Sequence, residues 1–146
     1  MGDTVPLGET ILLVDDVARF RAEATAALRR AGYRVVAVAT TTAALDRLDR
    51  GLAVDILVSR VLMPAGHPHG LALARMVRMR RPELRVLLHA IALDDLPASE
   101  REDPPGVLIR RPERGSDLVL AVAATFRGEA ARLEPPPPVR ACSGRG

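Results

Sequence analysis

Two adjacent carboxylates, Asp15 and Asp16, directly follow the apolar run 11–14 and are the side chains in this sequence best suited to chemistry. Adjacent acids are costly to ionise together unless a cation lies close to them. They therefore indicate a cation site. The alternative is a solvated turn or a helix N-terminus, where the helix dipole favours carboxylates.

Three nitrogen-bearing side chains stand at or near the ends of later apolar runs: Arg60, His89 and Arg111. A guanidinium offers five donors in a planar fork that matches a carboxylate. If the fold brings these runs together, two anions meet two cations, and Arg60 can occupy the volume and the charge of a metal ion. An outward-pointing Arg60 at a strand end is the alternative, because strand side chains alternate between faces.

Five short apolar runs alternate with helix-like stretches, so the polar residues belong to a repeating architecture. Such nearly continuous apolar runs are typical of strands buried on both faces. They are residues 11–14, 35–39, 56–61, 86–91 and 107–109. The alternation predicts an α/β fold, a doubly wound five-stranded parallel sheet with helices on both faces. Ligands bind such sheets beyond the carboxyl ends of the strands, where the polar residues should meet.

The helices are predicted from apolar spacing and from capping residues. They cover residues 18–30, a stretch from Thr41 or Thr42 to 50, residues 71–80, a short helix at 98–102, and a last helix capped by Ser116. Serine and threonine suit the N-cap position, where the side chain accepts from the first turn. Three prolines at 97, 104 and 105 shorten or disturb the fourth helix.

Length and composition predict one domain. With 146 residues, 48% of them apolar, the chain can build a single ordinary core. We expect an N-terminal extension at 1–9, a domain at 10–130 and a disordered, proline-rich tail at 131–146. Neither a signal peptide nor a membrane-spanning run is apparent, so a cytoplasmic location is expected.

The charge of +3 comes entirely from arginine, since the sequence has no lysine. A basic chain can bind nucleic acid through phosphate neutralisation. Here the arginines are scattered over predicted helix faces, and only three aromatic residues could stack on bases. Solvated surface is therefore the preferred interpretation, with an anion or nucleic-acid binder as the alternative.

The chain resembles the receiver domains of bacterial response regulators (CheY-like) from about residue 10 to residue 128. The resemblance rests on the acidic pair, on Met63-Pro64 after the third run and on Arg111-Pro112 after the fifth. It implies a flavodoxin-like sheet with strand order 2-1-3-4-5. In that family the acidic pair holds Mg²⁺, and an aspartate after the third strand takes a phosphoryl group from a histidine kinase. A cis peptide bond before Pro112 is also implied.

Three positions, 60, 89 and 108, depart from the family pattern, while a fourth, Arg111, keeps the family's positive charge. Arg60 stands three residues before Met63, where the phosphorylated aspartate belongs, and arginine has no nucleophile. His89 replaces the serine or threonine that contacts the phosphate, and Leu108 replaces the common aromatic switch residue. Arg111 replaces the conserved lysine. The chain is thus similar to a degenerate pseudo-receiver.

These departures predict a signalling module of a two-component phosphorelay that is not an enzyme and acts by protein contact without phosphorylation. Mg²⁺ binding should be lost, because the metal tolerates neighbouring cations poorly. The resemblance implies a histidine kinase or another regulator as partner, and a homodimer through the fourth helix, fifth strand and fifth helix. The alternative is phosphotransfer to another acceptor, namely Asp15, Asp16 or His89.

Two further histidines, His67 and His69, belong to a loop near the same predicted edge. A His-x-His pair beside carboxylates could bind a transition metal. No fourth ligand is supplied by spacing, so two solvated imidazoles are the preferred interpretation, and no metal or other cofactor is predicted.

Overall fold

The computed structural model describes residues 8–63, 70–92, 96 and 98–128, in which five strands and five helices alternate. The strands are β1 (Thr10–Val14), β2 (Arg34–Val38), β3 (Ile56–Arg60), β4 (Arg85–Ala90) and β5 (Val107–Arg110). The helices are α1 (Ala18–Arg30), α2 (Thr41–Asp49), α3 (Gly70–Arg80), α4 (Ala98–Glu102) and α5 (Gly115–Phe126). The predicted alternation is confirmed, with element boundaries within one or two residues of those expected.

The five strands form one parallel sheet in the order β2-β1-β3-β4-β5. This is the flavodoxin-like order that the resemblance implied. Because all strands are parallel, their carboxyl ends lie at one edge of the sheet. The register places Arg60, the last residue of β3, opposite His89 of β4.

Helices cover both faces of the sheet, and the alternation of side chains along β1 explains why. Ile11 and Leu13 belong to a core cluster with Phe20 and Leu28 of α1 and Leu118 of α5. The side chains between them belong to the opposite cluster, which α2 and α3 complete; its members include Leu12, Val14, Ala44, Leu48, Leu73 and Val77. Each face therefore buries apolar side chains, as expected for central parallel strands.

Two of the predicted helix caps were wrong. Thr40, not Thr41 or Thr42, is the N-cap of α2, and its side chain accepts from the backbone N–H of Ala43. Helix α5 begins at Gly115, one residue before Ser116, so Ser116 lies inside the first turn. By residue type, the three consecutive threonines at 40–42 are equally good candidates for the N-cap. Thr40 has the extended backbone of an N-cap residue, whereas the helix itself begins at Thr41.

The α5 N-terminus has a partner from another helix. The Gly115 N–H donates to Glu23 Oε2 of α1 at 3.0 Å. A carboxylate at this position satisfies one of the orphan donors of the first turn and interacts favourably with the helix dipole. Glycine at 115 permits this approach, because an added Cβ would lie 2.8 Å from the Glu23 carbonyl oxygen.

The expected cis peptide bond before Pro112 is a further correction. No described peptide bond is cis, so the Arg111–Pro112 bond is trans. The Arg111 N–H donates to the Ala90 carbonyl at 2.8 Å, which continues the pairing with β4 beyond β5. Trans is the favoured isomer before proline by about 0.5–1 kcal/mol, so proline alone permitted cis without requiring it.

The short fourth helix is confirmed, since α4 has five residues. Among the described residues, no helix combines the length and the apolar character needed to cross a membrane. The proline-rich tail at 131–146, most of the N-terminal extension, Pro64, His67 and His69 lie outside the described residues.

Candidate functional site

The carboxyl edge of the sheet brings together the polar residues singled out in the sequence. Asp15 and Asp16 follow β1, Arg60 ends β3, His89 lies in β4 and Arg111 follows β5. Asp15 is fully buried, as is His89, whereas Asp16 and the two arginines are partly covered. The arrangement consists of two ion pairs, each joining one aspartate to one arginine.

The buried pair joins Asp15 to Arg111. The guanidinium donates from Nη1 to Asp15 Oδ2 at 2.8 Å and from Nη2 to Asp15 Oδ1 at 3.2 Å. The Val17 N–H also donates to Asp15 Oδ1, at 2.9 Å. A bidentate, charge-assisted contact of this kind is geometrically specific and stronger than a neutral hydrogen bond. Both Asp15 oxygens are therefore occupied by donors of the protein itself.

The second pair joins Arg60 to Asp16. Arg60 Nη1 donates to Asp16 Oδ1 at 2.8 Å, and the two side chains are 20% and 22% exposed. Arg60 therefore turns into the edge of the sheet rather than out into solvent, in agreement with the expectation of an internal cation. Asp15, the other member of the acidic pair, is paired with Arg111.

An aromatic ring completes the site, and the sequence did not identify it. The Arg111 guanidinium carbon lies 4.2 Å from the centroid of the Phe20 ring, within the range of a cation–π contact. The same ring meets His89 edge-on, with centroids 5.8 Å apart. Phe20 was predicted only as part of the apolar face of α1. Its additional role depends on where α1 crosses the sheet edge, which residue spacing does not report.

His89 lies beside both members of the buried pair. Its Nδ1 atom is 3.3 Å from Arg111 Nη1, and its Nε2 atom is 3.6 Å from Asp15 Oδ2. Burial, followed by the positive charges of Arg111 and Arg60, lowers the pKa of His89 from 6.5 to about 3. The imidazole is therefore neutral near pH 7 in the folded protein.

The other predicted positions have simpler environments. Leu108 is partly buried and packs against the core on the α2 and α3 side of the sheet. Met63 packs against the same cluster, while Pro64, the second residue of the predicted turn, lies outside the described residues. His67 and His69 also lie outside them, so the weak prediction of a transition metal there stays a prediction.

A groove of about 580 Å³ opens beside the buried pair. It runs between the start of α1 and the segment after β5, and its walls include Phe20, Arg60, Arg111 and the exposed side chain of Ile91. Charged side chains of both signs, among them Arg110 and Glu113, line the remainder.

Mg²⁺, which the resemblance implies, does not fit this donor set. The ion prefers near-octahedral oxygen coordination, usually with several waters and one or two carboxylates. Both oxygens of Asp15 accept hydrogen bonds from the protein, and Asp16 Oδ1 accepts from Arg60. Arg60 also stands where the family supplies a third carboxylate, so the site holds a cation of its own.

No protein-family model matches the chain. Solved structures that share its fold are response-regulator receiver domains. One is a receiver protein from Sinorhizobium medicae, with 25% identity, a TM-score of 0.70 and coverage of 83% of this chain and 96% of that chain. Another is the response regulator DrrB from Thermotoga maritima, an OmpR/PhoB homologue, with 24% identity and a TM-score of 0.68.

The coverage of DrrB is 83% of this chain but 54% of DrrB, so the chain spans about half of that protein. TrrA from Thermotoga maritima, solved with Mg²⁺ and BeF, is 20% identical with a TM-score of 0.66; the match covers 80% of this chain and 98% of TrrA. The chain is therefore similar to receiver domains over nearly all of its described residues. It has the flavodoxin-like fold of receiver domains.

Proposed function

We propose that this chain is a receiver-like signalling module of a two-component pathway that acts by protein–protein contact and without phosphorylation. The observation that carries the proposal is the Arg60–Asp16 ion pair at 2.8 Å. The residue at the phosphoacceptor position is a cation bound to one of the acids that would otherwise help to hold Mg²⁺. Neither a nucleophile nor a vacant metal position is left there.

The remaining candidate acceptors are poorly placed for phosphotransfer. Asp15 and His89 have no exposed side-chain surface, and Arg111 occupies both Asp15 oxygens. Asp16 is 22% exposed but is engaged by Arg60. An in-line attack needs an approachable oxygen or nitrogen with its donor aligned, and these contacts oppose that approach.

The partner-binding surface proposed here is formed by α4, β5 and α5. β5 is an edge strand, and the side chain of Leu120 on α5 is 68% exposed. An edge strand leaves a row of backbone donors and acceptors unpaired, which favours contact with another protein. The partner would be a histidine kinase, another regulator or a second copy of this chain, and the module itself would have no enzymatic activity.

The test is to challenge the wild-type protein with phosphoryl donors and mimics. We expect acetyl phosphate to add no phosphoryl mass, and Mg²⁺ with beryllium fluoride to leave the ¹H–¹⁵N spectrum unchanged. A stoichiometric phosphoryl group on any aspartate of the wild-type protein would overturn the proposal. A group found on Asp15, Asp16 or His89 would support the alternative acceptor instead.

A gain-of-function variant makes the negative result interpretable. Arg60→Asp restores a third carboxylate and removes the internal cation, so we expect Mg²⁺-dependent spectral changes at the carboxyl edge. Arg50→Asp is the matched control, because it makes the same change of charge at a different place. Arg50 is the C-cap residue of α2, and its side chain is 77% exposed. Equal Mg²⁺ responses of the two variants would argue against a role for Arg60 in excluding the metal.

A further inference from the structure

His89 is the most deeply buried polar side chain of the site whose role the ion pairs do not explain. Its side chain has no exposed surface, and Nε2 has no hydrogen-bond partner among the described residues. Buried polar atoms without partners are uncommon in folded proteins, because each costs about 1–3 kcal/mol. A histidine retained at such a cost invites a specific explanation.

The contact with Arg111 fixes which ring nitrogen carries the proton. A guanidinium only donates, so the 3.3 Å contact between Arg111 Nη1 and His89 Nδ1 requires Nδ1 to accept. In a neutral imidazole the proton then resides on Nε2. This N–H lies on the side of Asp15 Oδ2, which is 3.6 Å away and just beyond hydrogen-bond distance.

Arg111 is thereby surrounded on three sides. Asp15 binds it through both oxygens, Phe20 stacks on its face, and His89 Nδ1 accepts from the nitrogen that also serves Asp15 Oδ2. His89 Nδ1 is thus a second acceptor for Nη1, at 3.3 Å, beside Asp15 Oδ2 at 2.8 Å. Without an acceptor at this position, the guanidinium could rotate away from its bidentate geometry.

We propose that His89 is a positioning residue that holds the Arg111 guanidinium on Asp15. The contacts among Asp15, His89 and Arg111 then restrain the site independently of the Arg60–Asp16 ion pair, and we call them the second lock. This inference deepens the proposed function, because it ties the two positions that would contact a phosphoryl group in a receiver, 89 and 111, to each other and to Asp15. Replacing Arg60 would break the Arg60–Asp16 ion pair and would leave the second lock in place.

Two substitutions separate the acceptor from the bulk of the ring. In His89→Asn the side-chain Oδ1 is bonded to Cγ, as Nδ1 is in histidine, so an acceptor can face Arg111. In His89→Leu the volume remains apolar and no acceptor is present. Both variants lose the imidazole, so thermal unfolding of each checks that the domain folds.

The measurement is hydrogen exchange and rotation of the Arg111 guanidinium by ¹⁵N NMR. We expect slowly exchanging Nη protons in the wild type and in His89→Asn, and exchange at least about tenfold faster in His89→Leu, as loss of one charge-assisted hydrogen bond implies. The wild-type imidazole should show the Nε2–H tautomer in its ¹⁵N shifts.

Two outcomes would overturn the inference: a wild-type imidazole protonated on Nδ1, or an Arg111 signature in His89→Leu identical to that of the wild type. Neither outcome depends on phosphorylation. Phosphoryl uptake by the wild-type protein on an aspartate other than Asp15 would refute the proposed function while leaving the positioning role of His89 intact, so the two failures are distinguishable.

Discussion

At the scale of single residues, the two ion pairs differ in burial, and this difference sets what each contributes. Asp15 has no exposed surface and Arg111 is 13% exposed, whereas Arg60 and Asp16 are 20% and 22% exposed. A buried pair adds little net stability because desolvation offsets the attraction. Removing one member is costly, since it leaves an uncompensated charge in a medium of low dielectric constant.

The first prediction compares the two aspartates as amides. Asp15→Asn should lower the free energy of unfolding by about 3–5 kcal/mol, the range for breaking a buried pair. Asp16→Asn should cost about 1–2 kcal/mol, between the buried and the surface range, because water screens this pair. Urea denaturation at neutral pH measures both. Equal losses would mean that burial does not govern the energetics of the site.

The second prediction concerns acid stability and follows from the lowered pKa of His89. The unfolded chain takes up a proton near pH 6.5, whereas the folded chain resists it until about pH 3. The unfolded state therefore binds more protons in this window, and stability falls as the pH falls below 6.5. The free energy of unfolding should be about 2 kcal/mol lower at pH 5 than at pH 7.

His89→Asn is the control for this pH dependence, because it removes the titrating ring. The charged groups that face His89 are Asp15 of the first strand end, Arg111 after β5 and Arg60 of β3. These groups remain in the variant, so only the histidine contribution should disappear. An unchanged slope between pH 5 and pH 7 in His89→Asn would assign the acid sensitivity to other groups.

The polar residues of the site were predictable from the sequence, whereas Phe20 and most of the contacts were not. Motif spacing from Met63 identified Arg60 as the phosphoacceptor equivalent, and charge counting identified it as an internal cation. Which arginine pairs with which aspartate depends on distances of a few ångströms across four strands. No periodicity of the sequence encodes them.

At the scale of helices and strands, close packing between α1 and α5 determines which small residues are required. Gly115 opens α5 against α1, and an added Cβ would meet the Glu23 carbonyl oxygen at 2.8 Å and the Ala27 Cβ at 3.1 Å. The sequence offered Ser116 as the start of this helix because serine is a good cap. The structure uses a carboxylate from α1 instead, a long-range partner that local preferences do not reveal.

The third prediction tests this packing. Gly115→Ala should lower the free energy of unfolding by about 1–3 kcal/mol, since inserting a methyl group into a filled interface forces a shift of backbone. Ser116→Ala, at the neighbouring exposed position, should change it by less than about 0.5 kcal/mol. Thermal or urea unfolding compares them. If Ser116→Ala were clearly destabilised instead, the prediction that Ser116 caps α5 would be supported.

At the scale of the whole molecule, alternation of apolar runs and helices was sufficient to predict the parallel sheet and its layers. The runs are apolar because β1, β3 and β4 are covered on both faces, and the resemblance supplied the strand order. The trans bond before Pro112 was missed because proline permits both isomers with a small free-energy difference. Many residues along the chain therefore indicate the fold together, whereas a single peptide bond or contact depends on few residues and is harder to predict.

The overall arrangement also determines how far a restored site can act. In a receiver, a signal must pass from the carboxyl edge to the α4, β5 and α5 surface through the residues at positions 89 and 108. Here His89 is engaged by Arg111, and Leu108 is packed against the core beside β4. In the described structure, both side chains are therefore held by neighbouring residues.

The fourth prediction follows from this double restraint. In Arg60→Asp, Mg²⁺ with beryllium fluoride should shift amide signals at the carboxyl edge but leave those of α4, β5 and α5 within experimental error. Adding His89→Thr and Leu108→Tyr supplies a hydroxyl and an aromatic lever, and the shifts should then extend to β5 and α5. Arg50→Asp with the same two changes is the control and should not respond. Spreading of the shifts in Arg60→Asp alone would mean that the contacts among Asp15, His89 and Arg111 do not restrain the domain.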